Sequence, residues 1–453
     1  MLSRGKSETE KSIRALLGSA VVLAVCFTFL FYHYDCEAIT QWGYDLLECI
    51  RAGKSSIFPE YTYENFGSPT NYSLFVNLIT ALWLSPLYLI DQAAGLDISL
   101  FGYEIWYKVL LCAFLLADLA VFDRLLKKLG WEGNTRKEML ALFLLSGITL
   151  LATLGKGQID VYGFLFAQIG AEALLEKKYV KMALMFGLAL LVKPTALLLI
   201  VPLFLLLISR WGIQTLLYAA LFVLPYGLNQ LITMLWMPKY IPLSRKTFEL
   251  LAKALGGLTI REQFFDLQIN QILIFMAAGL VICFLCYYLG IHQQVRAEHF
   301  LALPPLLLIC FGIFVCASYH WFFYLLPAFL LAGERFRKKS DFYLLLLGMN
   351  LGLVLYFSAA ESMAVFSDTV IQYTGEWQEY LLSGGKTLFY VCMLLVIFVF
   401  FLEIRKNRGT EQKESRETEG IEDRTYQRLL LFLQPAPVIL YLIVSLALTI
   451  AGN

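Results

Sequence analysis

Apolar residues in this chain gather in long blocks, and the polar residues fall in the gaps between them. Windows of about 18 or more apolar residues recur along the whole length, the pattern of membrane-spanning helices. The blocks predict spans at 15–32, 105–122, 138–154, 161–175, 181–192, 195–209, 213–228, 270–290, 300–316, 322–333, 341–358, 386–403 and 429–449. These make an all-α integral membrane protein of about 13 transmembrane helices, in one polytopic domain over residues 1–453. Within it, 1–210 form a first module and 211–403 a second transmembrane half with a loop at 229–268. A charged segment at 404–428 then precedes a last helix in 429–453.

Two parts of the pattern are not simple spans. In the loop 34–71, Ile39, Trp42, Leu46 and Ile50 repeat at helical spacing, with Glu37, Gln41, Asp45 and Glu48 opposite. That predicts an amphipathic helix lying on the membrane surface. The block 181–192 is too short to cross straight, and Lys193-Pro194 follows it. Proline removes a backbone donor, so a break is expected there, and broken helices in membranes tend to surround a cavity.

Composition agrees with the pattern: 59% of residues are hydrophobic and 16% charged. The net charge of +1 offers no electrostatic footprint for nucleic acid. Charge also orients the chain. Arg4, Lys6, Lys11 and Arg14 precede the first span, which reads as an uncleaved anchor with a cytosolic N-terminus. The run 72–90 would flip every later loop if it crossed. As a helix dipping into the outer leaflet it leaves most of the 36 Lys and Arg residues cytosolic, and the positive-inside rule selects that reading. The nine cysteines lie mostly inside apolar blocks and read as small packing residues. Cys36 and Cys49, if on one helix, stand about 20 Å apart and cannot be bridged.

Candidate chemistry lies on the outer side of this topology. Asp160 opens one apolar helix and Lys193 interrupts the next. Ionisable residues set into apolar spans mark a pathway or a ligand, or a buried structural ion pair. Asp35 directly follows the first span, with Glu37 after it, and Gln158 stands beside Asp160. The outer loop carries Arg245, Lys246 and Arg261, and His320 begins a later helix. Chemistry on this face has no access to cytosolic nucleotide-activated donors and calls for a group carried on a lipid.

Asp35 after the first span, the amphipathic helix, Gly157-Gln158-Ile159-Asp160 and Leu191-Val192-Lys193-Pro194 together resemble the GT-C membrane glycosyltransferases. The similarity is to bacterial proteins related to the second mannosyltransferase of glycosylphosphatidylinositol synthesis, and it runs over residues 30–205. The resemblance implies a GT-C-like fold with the amphipathic and membrane-dipping helices in the first extracytoplasmic loop. It also implies a polyprenyl-phosphate sugar donor, with no cofactor and no required metal. Asp35 matches the family's candidate base, Gln158 and Asp160 its Trp-Gly-Gln-Val/Ile-Asp motif, and Lys193 its Lys-Pro lysine. His320 and Tyr324 fall where relatives carry a His-Glu-Arg-Tyr-like stretch. The chain departs from the family in having Lys156 in place of Trp, Trp321-Phe322 in place of Glu-Arg, and Ser68-Pro69-Thr70 in place of Tyr-Pro-Pro.

The chemistry makes its own demands. Sugar transfer from a lipid phosphate to a hydroxyl needs a carboxylate to take the acceptor proton and cations to stabilise the departing phosphate. Asp35 suits the first role, with Glu37 in reserve, although Asp also caps helices, and one starting at Glu37 would suit it. Lys193, Arg245, Lys246, Arg261 and His320 suit the second, although loop cations equally meet anionic headgroups and a lone interfacial histidine is commonly structural. Asp160 would orient Lys193, and aromatic residues such as Tyr72 would stack on a sugar face or sit in an interfacial belt. The expected function is a hexosyltransferase, mannosyltransferase-like, of a bacterial plasma membrane. Its partners are membrane lipids, a polyprenyl-phosphate-linked sugar and an envelope glycolipid or glycopolymer acceptor. A flippase, transporter or polymerase of lipid-linked saccharides is the alternative from other classes.

Overall fold

A backbone surrounded by lipid must satisfy its own hydrogen bonds, so apolar blocks of this length become helices. The computed structural model describes residues 2–66, 70, 72–237, 261–264, 267–315, 318–360, 364–365, 375–407 and 421–452. The chain begins with α1 (Leu2–Leu30), β1 (Phe31–Tyr32), α2 (Tyr34–Arg51), α3 (Phe58–Phe66), α4 (Leu74–Ala94), α5 (Leu100–Lys128) and α6 (Gly133–Leu145). A π-helical stretch, Ile148–Gly155, leads into α7 (Asp160–Leu175) and α8 (Tyr179–Val192). A 3-10 turn at Pro194–Ala196 then opens α9 (Leu197–Trp211), followed by α10 (Gln214–Trp236). A hairpin of β2 (Arg261–Phe264) and β3 (Leu267–Asn270) precedes α11 (Gln271–Ile291) and α12 (Ala297–Phe314). A 3-10 helix, Tyr319–Leu325, runs into α13 (Leu326–Gly333) and α14 (Lys339–Ala360). The chain continues through β4 (Ala364–Val365), α15 (Gln378–Asn407), α16 (Ile421–Leu433) and α17 (Ala436–Gly452).

Among the described residues eight helices are long and apolar enough to cross a membrane, or nine if the bent pair Gly133–Leu145 and Ile148–Gly155 is one span. These are the lengths and compositions of a multi-pass helical membrane protein. Shorter apolar helices occupy Tyr179–Val192, Glu298–Phe314 and Tyr319–Gly333.

Several boundaries differ from those expected. The span 138–154 is bent by 46° at Ser146-Gly147, because α6 ends there and the π-helical stretch begins. Asn350 of α14 holds that bend: its Oδ1 accepts the Gly147 N–H at 2.8 Å, and its Nδ2 donates to the Gln434 carbonyl at 3.2 Å. The outer loop starts later than residue 229, since α10 continues to Trp236 and Asn229 Oδ1 accepts the Phe75 N–H at 3.1 Å. The charged segment is partly helical: α15 extends to Asn407, and α16 starts at Ile421.

The amphipathic helix forms as α2, but its apolar face meets protein. Ile39, Trp42 and Leu46 are buried, and α2 packs on α4 and α5. Asp45 ties it to α3: its Oδ1 accepts from Gln41 Nε2 at 2.6 Å and from Asn65 Nδ2 at 3.1 Å. Burial pushes the Asp45 carboxyl up to about 6, against those two donors.

α4 is 21 residues long, yet its two ends meet neighbouring parts of the bundle. Tyr72, just ahead of it, donates to Gln158 Oε1 at 3.4 Å. Asp91, in its last turn, accepts from Tyr103 Oη at 2.9 Å. Tyr103 lies one turn from Tyr107, whose Oη donates to the Gly157 carbonyl at 3.0 Å. Between those ends Trp83 and Trp106 stack at 5.1 Å and each donates its indole N–H to the other's carbonyl at 2.8 Å, locking α4 to α5.

α5 and α7 run side by side in the same direction, and their far ends are tied by charge. Glu172 accepts from Arg124 at 3.1 Å and from Lys128 at 2.8 Å. The same end carries Asp123 against Lys127 and Arg136, at 2.8 and 2.9 Å.

Candidate functional site

The site is built where four chain segments meet. A helix is the natural start for the first, since His33 caps α2 by accepting the Asp35 N–H on its Nδ1 at 3.0 Å. Asp35 therefore sits in the first turn of α2 and is not its cap; the helix begins at Tyr34, ahead of the expected Glu37. The second segment is Lys156-Gly157-Gln158, turning from the π-helical stretch into α7. Gly157 has φ +65°, and a Cβ there would lie 2.6 Å from that of Cys36, so glycine serves both the turn and the approach of α2. The third segment is Lys193, an extended residue between α8 and the turn at Pro194. The fourth is the 3-10 helix that bears His320 and Tyr324.

Asp35 Oδ2 accepts from Gln158 Nε2 at 2.5 Å and lies 3.4 Å from Lys156 Nζ. Both contacts fall on one carboxylate oxygen, and the Asp35 side chain remains 35% exposed. Gln158 turns its Oε1 to Tyr72, whose ring lies 5.0 Å from Lys193 Nζ, a cation–π distance. Lys193 Nζ in turn lies 3.3 Å from Asp160 Oδ2, both side chains being deeply buried. His320 Nε2 stands 3.9 Å from the same oxygen. Neither oxygen of Asp160 has a hydrogen bond among the described residues, and neither has His320 Nδ1. The run is thus continuous: Asp35, Gln158, Tyr72, Lys193, Asp160, His320.

The structure brings together Asp35, Gln158, Asp160, Lys193 and His320, residues distant in sequence. Glu37 accepts from Tyr32 Oη, beside the run and not within it. Tyr324 lies below, packed edge-on against Phe164, its hydroxyl directly over Gly163. Arg245 and Lys246 lie outside the described residues, as does the proposed surface helix around them. Of Arg261 only the backbone is described, in β2.

Lys156, Tyr72 and His33 are the site residues that sequence reasoning did not assign. Lys156 stood out only as a departure from a family pattern. Its partner is visible only once the fold brings α2 against Gly157. Tyr72, expected against a sugar, instead faces Lys193. Among the described residues no group of three or more His, Cys, Asp or Glu is placed to hold a metal ion.

No protein-family model, curated protein or solved structure matches this chain. What the site does is therefore argued from its own chemistry. It offers a half-exposed carboxylate steadied on one side by an amide and an ammonium, and a buried ammonium held by a carboxylate that is itself short of partners. Such a pair of features accepts a proton at one end and an anion at the other.

Proposed function

We propose that this chain is a membrane glycosyltransferase that moves a hexose, mannose or a similar sugar, from a polyprenyl-phosphate carrier to an envelope glycolipid or glycopolymer. The observation that carries the reading is the link from Asp35 through Gln158 and Tyr72 to Lys193. A base and a phosphate-binding cation stand within one run of contacts, as direct displacement requires. In this reading the acceptor hydroxyl gives its proton to Asp35 and its oxygen attacks the anomeric carbon. The bond from that carbon to the phosphate oxygen breaks, the phosphate keeps the electron pair, and the configuration inverts. Lys193 takes the phosphate charge, and Asp160 with His320 holds the lysine at the mouth. Gln158 and Lys156 occupy one oxygen of Asp35, which leaves the other for the acceptor.

The topology that goes with this reading has about 13 spans, a cytosolic N-terminus and the site on the extracytoplasmic face of a bacterial plasma membrane. In it α4 dips from the outer face and returns, supported by the nearness of both its ends to Gly157 and Gln158.

A second reading has one observation of its own. The break at Lys193-Pro194 sits between two apolar helices, α8 and α9, as at the binding sites of transporters. A flippase of lipid-linked saccharides would use it without cleaving a bond.

The experiment that decides is sugar transfer by the purified protein in liposomes supplied with labelled polyprenyl-phosphate hexoses and a glycolipid acceptor. Asp35→Asn is expected to reduce transfer by about 10²–10⁴-fold. Unchanged transfer in that variant overturns the mechanism. Movement of intact donor between leaflets, equal in wild type and variant, establishes the flippase instead.

A further inference from the structure

Below the site, the interior of the bundle holds a second carboxyl group that sugar transfer does not use. Asp118 of α5 is 0% exposed. Its Oδ1 accepts from Gln168 Nε2 of α7 at 3.3 Å, and its Oδ2 is buried without a hydrogen-bond partner. No cation among the described residues is paired with it. A bare carboxylate in an apolar interior is strongly disfavoured unless paired, whereas the neutral acid is tolerated with a single amide donor. Gln168 lies two turns along α7 from Asp160, about 12 Å down the helix axis.

Tyr324 stands between the two acids. Its hydroxyl is buried with no hydrogen-bond partner, and Asp160 and Asp118 both act on it electrostatically. Gly163 makes this position possible, because any Cβ there would occupy the space of the hydroxyl. Asp160, Gly163 and Gln168 fall on one stripe of α7. The bundle thus holds a column of Asp160, Tyr324, then Asp118 with Gln168.

We infer that Asp118 stores a proton in the middle of the span and passes it through Tyr324 to Asp160 when an anionic phosphate takes over Lys193. The step balances. The Asp118 Oδ2–H proton moves to Tyr324 Oη as the tyrosine's own proton moves to Asp160. Asp118 becomes a carboxylate that keeps the Gln168 donor, Asp160 becomes neutral, and the tyrosine is unchanged. The trigger is charge: while empty, Asp160 has Lys193 at 3.3 Å, with His320 and Lys156 further off. A phosphate that engages Lys193 adds negative charge beside Asp160, and like charges favour protonation of the carboxylate. The inference rests on Lys193 being the phosphate-binding cation, as proposed above. A merely structural Asp118 would tie α5 to α7 as a neutral acid whose proton never moves.

The test is infrared spectroscopy of the full chain in nanodiscs, with and without polyprenyl phosphate. Binding of that lipid is measured separately by native mass spectrometry on wild type and Lys193→Met. Without lipid, the protonated-carboxyl C=O band is expected to be lost in Asp118→Asn and to move in Gln168→Leu, which removes only the donor. The Gln168 variant stands in if Asp118→Asn does not fold. On lipid binding, the Asp118 band should fall while one belonging to Asp160 rises. Tyr324→Phe, which keeps the ring and loses the hydroxyl, should abolish that exchange. A band indifferent to both Asp118→Asn and Gln168→Leu overturns the proton store. Lipid that binds through Lys193 without moving the band, or moves it equally in Tyr324→Phe, overturns the relay and leaves the proposed function standing. Lipid that does not bind overturns both the phosphate site and the relay that depends on it.

Discussion

At the scale of single residues, Asp160 and Lys193 were legible in the sequence because opposite charges in adjacent apolar blocks are rare. Their depth was not legible. With both side chains at 7% exposure or less, removing one partner leaves the other charge buried and uncompensated. Lys193→Met is expected to destabilise the protein by about 3–5 kcal/mol. Lys193→Met combined with Asp160→Leu should recover much of that, as thermal unfolding in detergent would measure. Asp45 is a different case. Burial holds its carboxyl above the ordinary value of 3.8, at about 6, so the folded chain binds this proton more tightly than the unfolded one. Stability from this group is full below its unfolded value and is lost as pH rises through about 6. Asp45→Asn should therefore raise the melting temperature over wild type more above pH 6 than near pH 4, and an equal gain at both would refute the assignment. The pairing of Lys156 with Asp35 was beyond sequence reading, because nothing in local pattern says that α2 lands on Gly157.

At the scale of elements, apolar blocks predicted helices well, since lipid leaves the backbone few alternatives. They predicted ends poorly. α10 runs on to Trp236 through polar residues because Asn229 and Thr233 bond within the fold, a compensation invisible in hydropathy. α2 was legible as amphipathic, but its apolar face could not announce whether lipid or protein would cover it. Two predictions belong here. Gly157→Ala is strained both by its positive φ and by Cys36, so it should lower the melting temperature and weaken any transfer activity together. The two ends of α4 should share a side of the membrane. In a cysteine-free background, Tyr72→Cys and Gln92→Cys should react alike with an impermeant thiol reagent on intact cells, with Lys127→Cys behaving oppositely. Opposite labelling of Tyr72→Cys and Gln92→Cys would make α4 a true crossing.

At the scale of the whole molecule, charge is sorted between two ends: the catalytic run at one, and the Glu172, Arg124 and Lys128 cluster with Asp123 and Arg136 at the other. The positive-inside pattern made that asymmetry legible before any fold was known, because it is summed over many loops and needs no single contact. What it did not reveal is how the middle of the bundle is pinned. Asn350 bonds Gly147 and the Gln434 carbonyl, and Gln434 Nε2 reaches the Tyr343 carbonyl at 2.7 Å, joining the bend to the C-terminal helices. Asn350→Leu should strand a buried N–H and a carbonyl and cost about 1–3 kcal/mol, measurable by thermal unfolding. The π-helical stretch beyond that bend has a further outcome. Its wider turns amount to a residue inserted into an otherwise ordinary helix. Excising one residue between Ile148 and Gly155 would let the helix rewind, swinging everything downstream by roughly 100°. Lys156 and Gln158 would then face away from Asp35, so the aim of the active surface is set by a surplus residue in a stretch that itself touches no substrate.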